Sequence, residues 1–122
     1  MTRNRQSLGR HGEARAAELL LGRGFRIAER NVRSRLGEID IVAEKGGDVY
    51  FVEVRTASRA PYGPPLYSVG AAKQARLARL ASAYLASRPS PAGIHFSVIA
   101  IAANDNEIAW IEDAFVADTP WG

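Results

Sequence analysis

The 122-residue chain contains no cysteine. That excludes a disulfide framework, a thiolate nucleophile and a thiolate metal site, and it suits a reducing compartment. No apolar stretch approaches the length of a membrane span. The amino terminus is polar and Arg-rich with no apolar run behind it, which is unlike a secretory signal. A cytoplasmic protein that does not enter a membrane is the expectation. Internal repeats and low-complexity segments are also lacking. His11 and His95 are far apart and have no metal-ligand spacing. The serines have no convincing His–Asp partner, and Gly9-Arg10-His11-Gly12 lacks the strand and lysine of a phosphate loop. Lysine is scarce, two residues against fourteen arginines. Arginine forks onto phosphates and stacks on bases, although a GC-rich genome also trades Lys for Arg.

What is present corresponds to one domain, residues 1–122, with enough apolar residues (47%) to bury a core. The net charge is +3 but unevenly spread. Residues 1–35 hold nine arginines against three glutamates, whereas the tail from Asp105 has five acids and no Lys or Arg. A capping Ser7 and a closing Gly24 bracket a first helix to about Gly22, with Ala14, Ala17, Leu20 and Leu21 as its apolar stripe. Strands are expected over Phe25–Val32, Glu38–Glu44 and Val49–Thr56, the last two joined at Gly46-Gly47 as a hairpin. Residues 57–66, with three prolines and a glycine, read as a mobile loop. A second helix follows over Ser68–Ser87, with Leu77, Leu80, Ala81, Tyr84 and Leu85 buried, and Pro89 and Pro91 end it. Strands over Ile94–Ala102 and Glu107–Glu112 complete the order α-β-β-β-α-β-β, an α/β fold with a mixed β-sheet flanked by helices. Residues 1–8 and 117–122 are expected to be flexible ends.

Charged residues inside apolar strands carry the chemistry. Alternation puts Ile39, Ile41 and Ala43 on one face and Asp40 with Val42 on the other; Val49, Phe51, Glu53 and Arg55 share a face of the next strand. A turn centred on Gly46-Gly47 pairs Lys45 with Asp48 and, counting outward, Asp40 with Glu53. Side chains paired this way have Cβ atoms about 4.5–5.5 Å apart, and like charges there repel. Either Arg55 neutralises the two acids or a divalent cation binds both. Hard oxygen donors suit Mg2+ or Mn2+. Glu13 lies one helical turn before Ala17, near the stripe that faces the sheet; it is either a third acid of this site or a Glu favoured by the first turn of the helix.

The stretches Gly12-Glu13, Asn31-x-Arg33, Gly37-Glu38-Ile39-Asp40, Phe51-Val52-Glu53-Val54-Arg55, Tyr62-Gly63 and Val69-x-x-x-Lys73 resemble the YraN-like family. These small bacterial proteins are grouped with restriction-endonuclease-like nucleases, close to archaeal Holliday-junction resolvases. The resemblance runs from about Gly9 to Ile101, and its most specific run is GEIDIVAEKGGDVYFVEVR. It implies a restriction-endonuclease-like core and a nuclease, with Asp40 and Glu53 as metal ligands and Glu13 as a further ligand or water-mediated contact. Arg55 stands where the superfamily nucleases usually have lysine. Lys73 and Arg76 match the family's basic second helix. Many relatives have arginine where Ala57 stands, a place Arg59 can fill, and Asp where Ser97 stands.

These readings make Glu13, Asp40, Glu53 and Arg55 the catalytic candidates, and Arg33, Arg59, Lys73, Arg76 and Arg79 the candidate contacts to nucleic acid, DNA before RNA. Lys73, Arg76 and Arg79 recur at intervals of three, and no acid occurs between Glu53 and Asp105. Two rivals stay open: a nucleic-acid-binding module with weak or lost chemistry, and a partner-binding scaffold hinted at by the acidic tail. A homodimer is also left open.

Overall fold

The computed structural model describes residues 2–57, 69–102 and 108–116, with side chains described from residue 12 onward and not at 57. The elements are α1 (Thr2–Gly22), β1 (Arg26–Ser34), β2 (Gly37–Lys45), β3 (Asp48–Ala57), α2 (Ala71–Leu85), β4 (Gly93–Ala102) and β5 (Ile108–Phe115). This is the order expected from the sequence. The strands form one mixed sheet in the order β1-β2-β3-β4-β5. β3 and β4 are parallel and the other neighbours antiparallel. A parallel pair needs a crossover, and α2 lies in it.

The two helices cover opposite faces. Ala16, Ala17 and Leu20 of α1 pack with Phe25, Ile41, Ala43, Tyr50, Val52, Ile99 and Ile101. Leu77, Leu80, Ala81 and Tyr84 of α2 pack with Ile39, Val42, Val49, Phe51 and Phe96. β2 and β3 are therefore covered on both sides, which is why they read as nearly continuous apolar runs. The α1 stripe is rotated from the expected one. Ala14 is exposed and Leu21 is 58% exposed, while Ala16 is fully buried. α1 starts at Thr2, so Ser7 lies within it and does not cap it. Gly24, at φ +87°, closes the helix as expected, with its N–H donating to Leu21 O at 3.1 Å. Gly12 sits so close to β3 that an added Cβ would lie 2.1 Å from Thr56 Cγ2. This contact brings the next residue, Glu13, down onto the sheet, and an extra methyl there would cost on the order of 1–3 kcal/mol.

Gly46 and Gly47 both have positive φ (61° and 87°), as a two-residue hairpin turn requires. The ladder they set runs from Lys45↔Asp48 to Ile41↔Val52, the register counted from the sequence. One face assignment needs correcting: Ile39 packs with α2, while Ile41 and Ala43 pack with α1. The alternation breaks because Asn31 on the neighbouring strand, across from Asp40 between the pairs Arg30↔Ile41 and Val32↔Ile39, takes a left-handed backbone at φ 54°. Val32 follows Ile39 to the α2 side.

Polar links tie β5 to the sheet, among them the Tyr50 hydroxyl donating to Glu112 Oε1 at 3.0 Å. Ser97, 2% exposed, donates its hydroxyl to Glu112 O at 2.5 Å where the β4–β5 register shifts. His95 stacks on Tyr50 at 4.2 Å and sets Nδ1 2.7 Å from Asp113 Oδ1 and Nε2 2.8 Å from Asp48 Oδ2. Ionised carboxylates only accept, so satisfying both contacts takes a ring that donates from both nitrogens, an imidazolium. Burial pushes the His95 pKa down, but the hydrogen bonds to Asp48 and Asp113 outweigh it and the net shift is upward. A raised imidazole pKa contributes stability that is fully present below the ordinary value of about 6.5 and is lost as pH rises through the folded value. His95→Gln should lower the melting midpoint several degrees more at pH 6 than at pH 9. Equal losses at both pH values in a thermal melt would show that the ring acts by packing alone.

Candidate functional site

The site forms where the β2–β3 ladder stops. Beyond Ile41↔Val52, the next main-chain donor, Val54 N–H, goes to the Asp40 side chain, 2.7 Å from Oδ2. Asp40 thus substitutes for a backbone acceptor at the end of the hairpin and is held beside Glu53. Burial and the Glu53 charge push the Asp40 carboxyl up to about 7; the Val54 hydrogen bond opposes this, and Glu13 and Glu38 add to it. Glu53, with its side chain only 13% exposed, has Lys73 Nζ 3.1 Å from Oε2. Lys73 reaches it from the first turn of α2, which is braced by Gln74 Nε2 donating to Val69 O at 2.7 Å.

Glu13 approaches from α1. Its pKa is raised by burial and by Glu38, against the pull of Arg30 and Arg33. Asn31 connects these acids: with its amide oriented to satisfy its neighbours, the nitrogen donates to Glu13 Oε1 and Glu38 Oε1, both at 2.8 Å. Four carboxylates, Glu13, Glu38, Asp40 and Glu53, therefore influence one another at one end of the sheet. Among the described residues, no three Asp, Glu or His side chains already stand as a metal cage. The donor set that fits a hard cation is the Asp40–Glu53 pair, since Mg2+ takes one or two carboxylates and completes its shell with water and phosphate.

The other candidates are spread around this centre. Arg55 is half-buried on β3, two residues beyond Glu53, and is engaged with its surroundings. Arg33 is exposed and lies 3.7 Å from Glu38. Arg76 is exposed at its head, and its stem crosses β2 at Gly37, where an added Cβ would lie 3.2 Å from Arg76 Cδ. Arg79 is exposed on α2. Arg59 and the loop around it fall outside the described residues. Sequence reasoning missed Asn31 and Glu38 as members of the acidic network. An asparagine inside a strand, opposite an aspartate, was the available signal, since Asn tolerates the left-handed region better than most residues.

Comparison with known proteins gives a consistent result. Residues 12–101 match the family described as Uncharacterised protein family UPF0102, the YraN-like family. A UPF0102 protein of Moorella thermoacetica is 49% identical over 102 residues, covering 83% of this chain and 85% of its own. One of Symbiobacterium thermophilum is 55% identical over 87 residues, covering 69% and 74%. One of Shewanella halifaxensis is 41% identical over 115 residues, covering 94% of this chain and 100% of its own.

The raised Asp40 pKa has a measurable consequence. The folded state holds a proton on Asp40 between about pH 4 and 7 that the unfolded state releases, so this group's contribution to stability falls across that window as pH rises. Asp40→Asn keeps an oxygen for Val54 N–H and removes the charge. In metal-free buffer it should raise the melting midpoint by several degrees at pH 8 and by much less at pH 4. A variant that melts lower than the parent at pH 8 would contradict this account of the site's electrostatics.

Proposed function

The chain belongs to the uncharacterised protein family UPF0102, and we propose that it is a metal-dependent nuclease that hydrolyses phosphodiester bonds of DNA or RNA, with branched DNA the first substrate to test. The observation that carries this reading is the pairing of Asp40 with Glu53 at the open end of a hairpin, where burial and the Glu53 charge make the ionised form of Asp40 costly without a cation, and the basic side of α2 next to it. Two buried like charges destabilise a fold unless a cation offsets them, and the oxygen donors suit Mg2+ or Mn2+.

Asp40 and Glu53 would hold the ion; bound there, it supplies acidification of a water and polarisation of the phosphoryl group. Arg55 lies on the same strand, two residues from Glu53. Its guanidinium keeps its proton, so it stabilises charge on a phosphate oxygen or orients water and does not act as a base. Arg76 and Arg79 offer exposed guanidinium groups from α2 to the backbone of the nucleic acid. Glu13, tied to Glu38 through Asn31, adjusts the negative potential around Asp40.

A second reading, binding without cleavage, draws support from Ser97, which is buried and spent on Glu112 O at a place where the family resemblance implies an acid. A cleavage panel of branched, flapped, single-stranded and double-stranded substrates with Mg2+ and Mn2+ separates the two. The nuclease reading expects metal-dependent products, a loss of at least ~100-fold in Asp40→Asn and Glu53→Gln, a loss of ~10-fold or more in Arg55→Ala, and activity retained in Arg55→Lys. Binding without products on any substrate would leave the second reading standing. In either case, Arg76→Ala with Arg79→Ala should reduce the slope of log affinity against log salt by roughly one unit per lost phosphate contact. An unchanged slope would take α2 out of the interface.

A further inference from the structure

We propose that Lys73 is the resident counter-ion of Glu53, displaced when a divalent cation binds Asp40 and Glu53 and then taken up by a phosphate of the bound nucleic acid. This rests on the metal-site reading above and adds a coupling between the two ligands.

The geometry begins with burial. Glu53 is 13% exposed, and its Oε2 is 3.1 Å from Lys73 Nζ. A carboxylate so little exposed needs a partner charge, and this ammonium supplies one. The Lys73 side chain is 40% exposed, so its head group stays in reach of water and of anything docked on α2. Its attachment is firm, because Gln74 N donates to Gly70 O at 2.9 Å and Gln74 Nε2 to Val69 O at 2.7 Å. A fixed turn thus presents a flexible four-carbon stem, and the charge can swing while the backbone stays in place. Arg76, three residues further on, has its stem laid across Gly37. Lys73 is therefore the member of the basic row that touches the acids and the one with freedom to leave them.

A divalent ion and an ammonium repel each other at one carboxylate, so metal entry displaces Lys73 from Glu53. Displacement has little cost when a nucleic-acid phosphate lies beside α2 to receive the ammonium, and a larger one when only water does. Nucleic acid should then tighten metal binding and metal should tighten nucleic-acid binding, by the same factor, as linkage requires. In the free protein, Lys73 competes with the metal; in the complex, it serves the substrate. Removing it should have opposite effects on the two ligands.

The test is calorimetric titration of the full chain with Mn2+, alone and with a hydrolysis-resistant duplex. For the parent protein, the duplex is expected to tighten Mn2+ binding by roughly fivefold or more. Lys73→Met should bind Mn2+ more tightly than the parent without duplex and lose most of the tightening the duplex confers. It should also melt lower than the parent without metal and gain more from Mn2+ in a thermal melt. Lys73→Arg, whose forked guanidinium grips a carboxylate more firmly, should bind Mn2+ more weakly than the parent, and it carries the test if Lys73→Met does not fold. Parent-like Mn2+ affinity in both variants, or duplex tightening that survives Lys73→Met, would overturn the counter-ion role and leave the metal site intact. Absence of Mn2+ binding sensitive to Glu53→Gln in the parent would overturn the metal site and this inference with it.

Discussion

Gly46 and Gly47, two consecutive residues with positive φ, set the count of the β2–β3 ladder. The whole acidic end of the sheet hangs on that count, because side-chain direction in a strand has a period of two. A slip of one residue would send Asp40 to the opposite face and leave Val54 N–H without its acceptor. The buried pairs Ile41↔Val52 and Val42↔Phe51 oppose any slip, since the first lies in the α1 core and the second in the α2 core. The turn proposes the register and the two cores enforce it.

The same end of the sheet departs from the consistency that marks the rest of the fold. Asn31 is left-handed inside a strand, Asp40 substitutes for a main-chain acceptor, and four carboxylates act on one another across α1, β2 and β3. Local rules broken together in one place, with a well-packed core around them, are what a functional or a strained site is expected to show, and the proposed function rests on the first of these. The opposite end of β3 shows the contrast: Asp48 has a matched partner in His95, with Asp113 on the ring's other nitrogen.

Much of this was legible in the sequence, for identifiable reasons. The element order followed from apolar periodicity, and the Asp40–Glu53 neighbourhood followed from a symmetric turn between two apolar runs. Ile39 was misplaced because alternation assumes an unbroken pleat, and the break arises on β1, whose pairing is not local to Ile39. The α1 stripe was misjudged because Ala14 and Ala16 are alike in hydrophobicity; only the close approach of Gly12 to Thr56 selects the buried side. The Lys73–Glu53 contact joins β3 to the crossover helix, and the His95–Asp113 contact lies past the β4–β5 register shift, so no count from a turn reaches either. Ser97 looked like a missing acid and turned out to complete the β4–β5 edge.

The topology also carries a consequence for how the chain is made. β1, β2 and β3 are joined in sequence as antiparallel neighbours, so their contacts are short in range and close early during synthesis. β4 enters only after α2 has emerged, by parallel pairing with β3. The hairpin that pairs Asp40 with Glu53 is thus complete in the chain before Lys73 is reached. For that interval Glu53 stands without its ammonium partner, which arrives only with the crossover that carries α2.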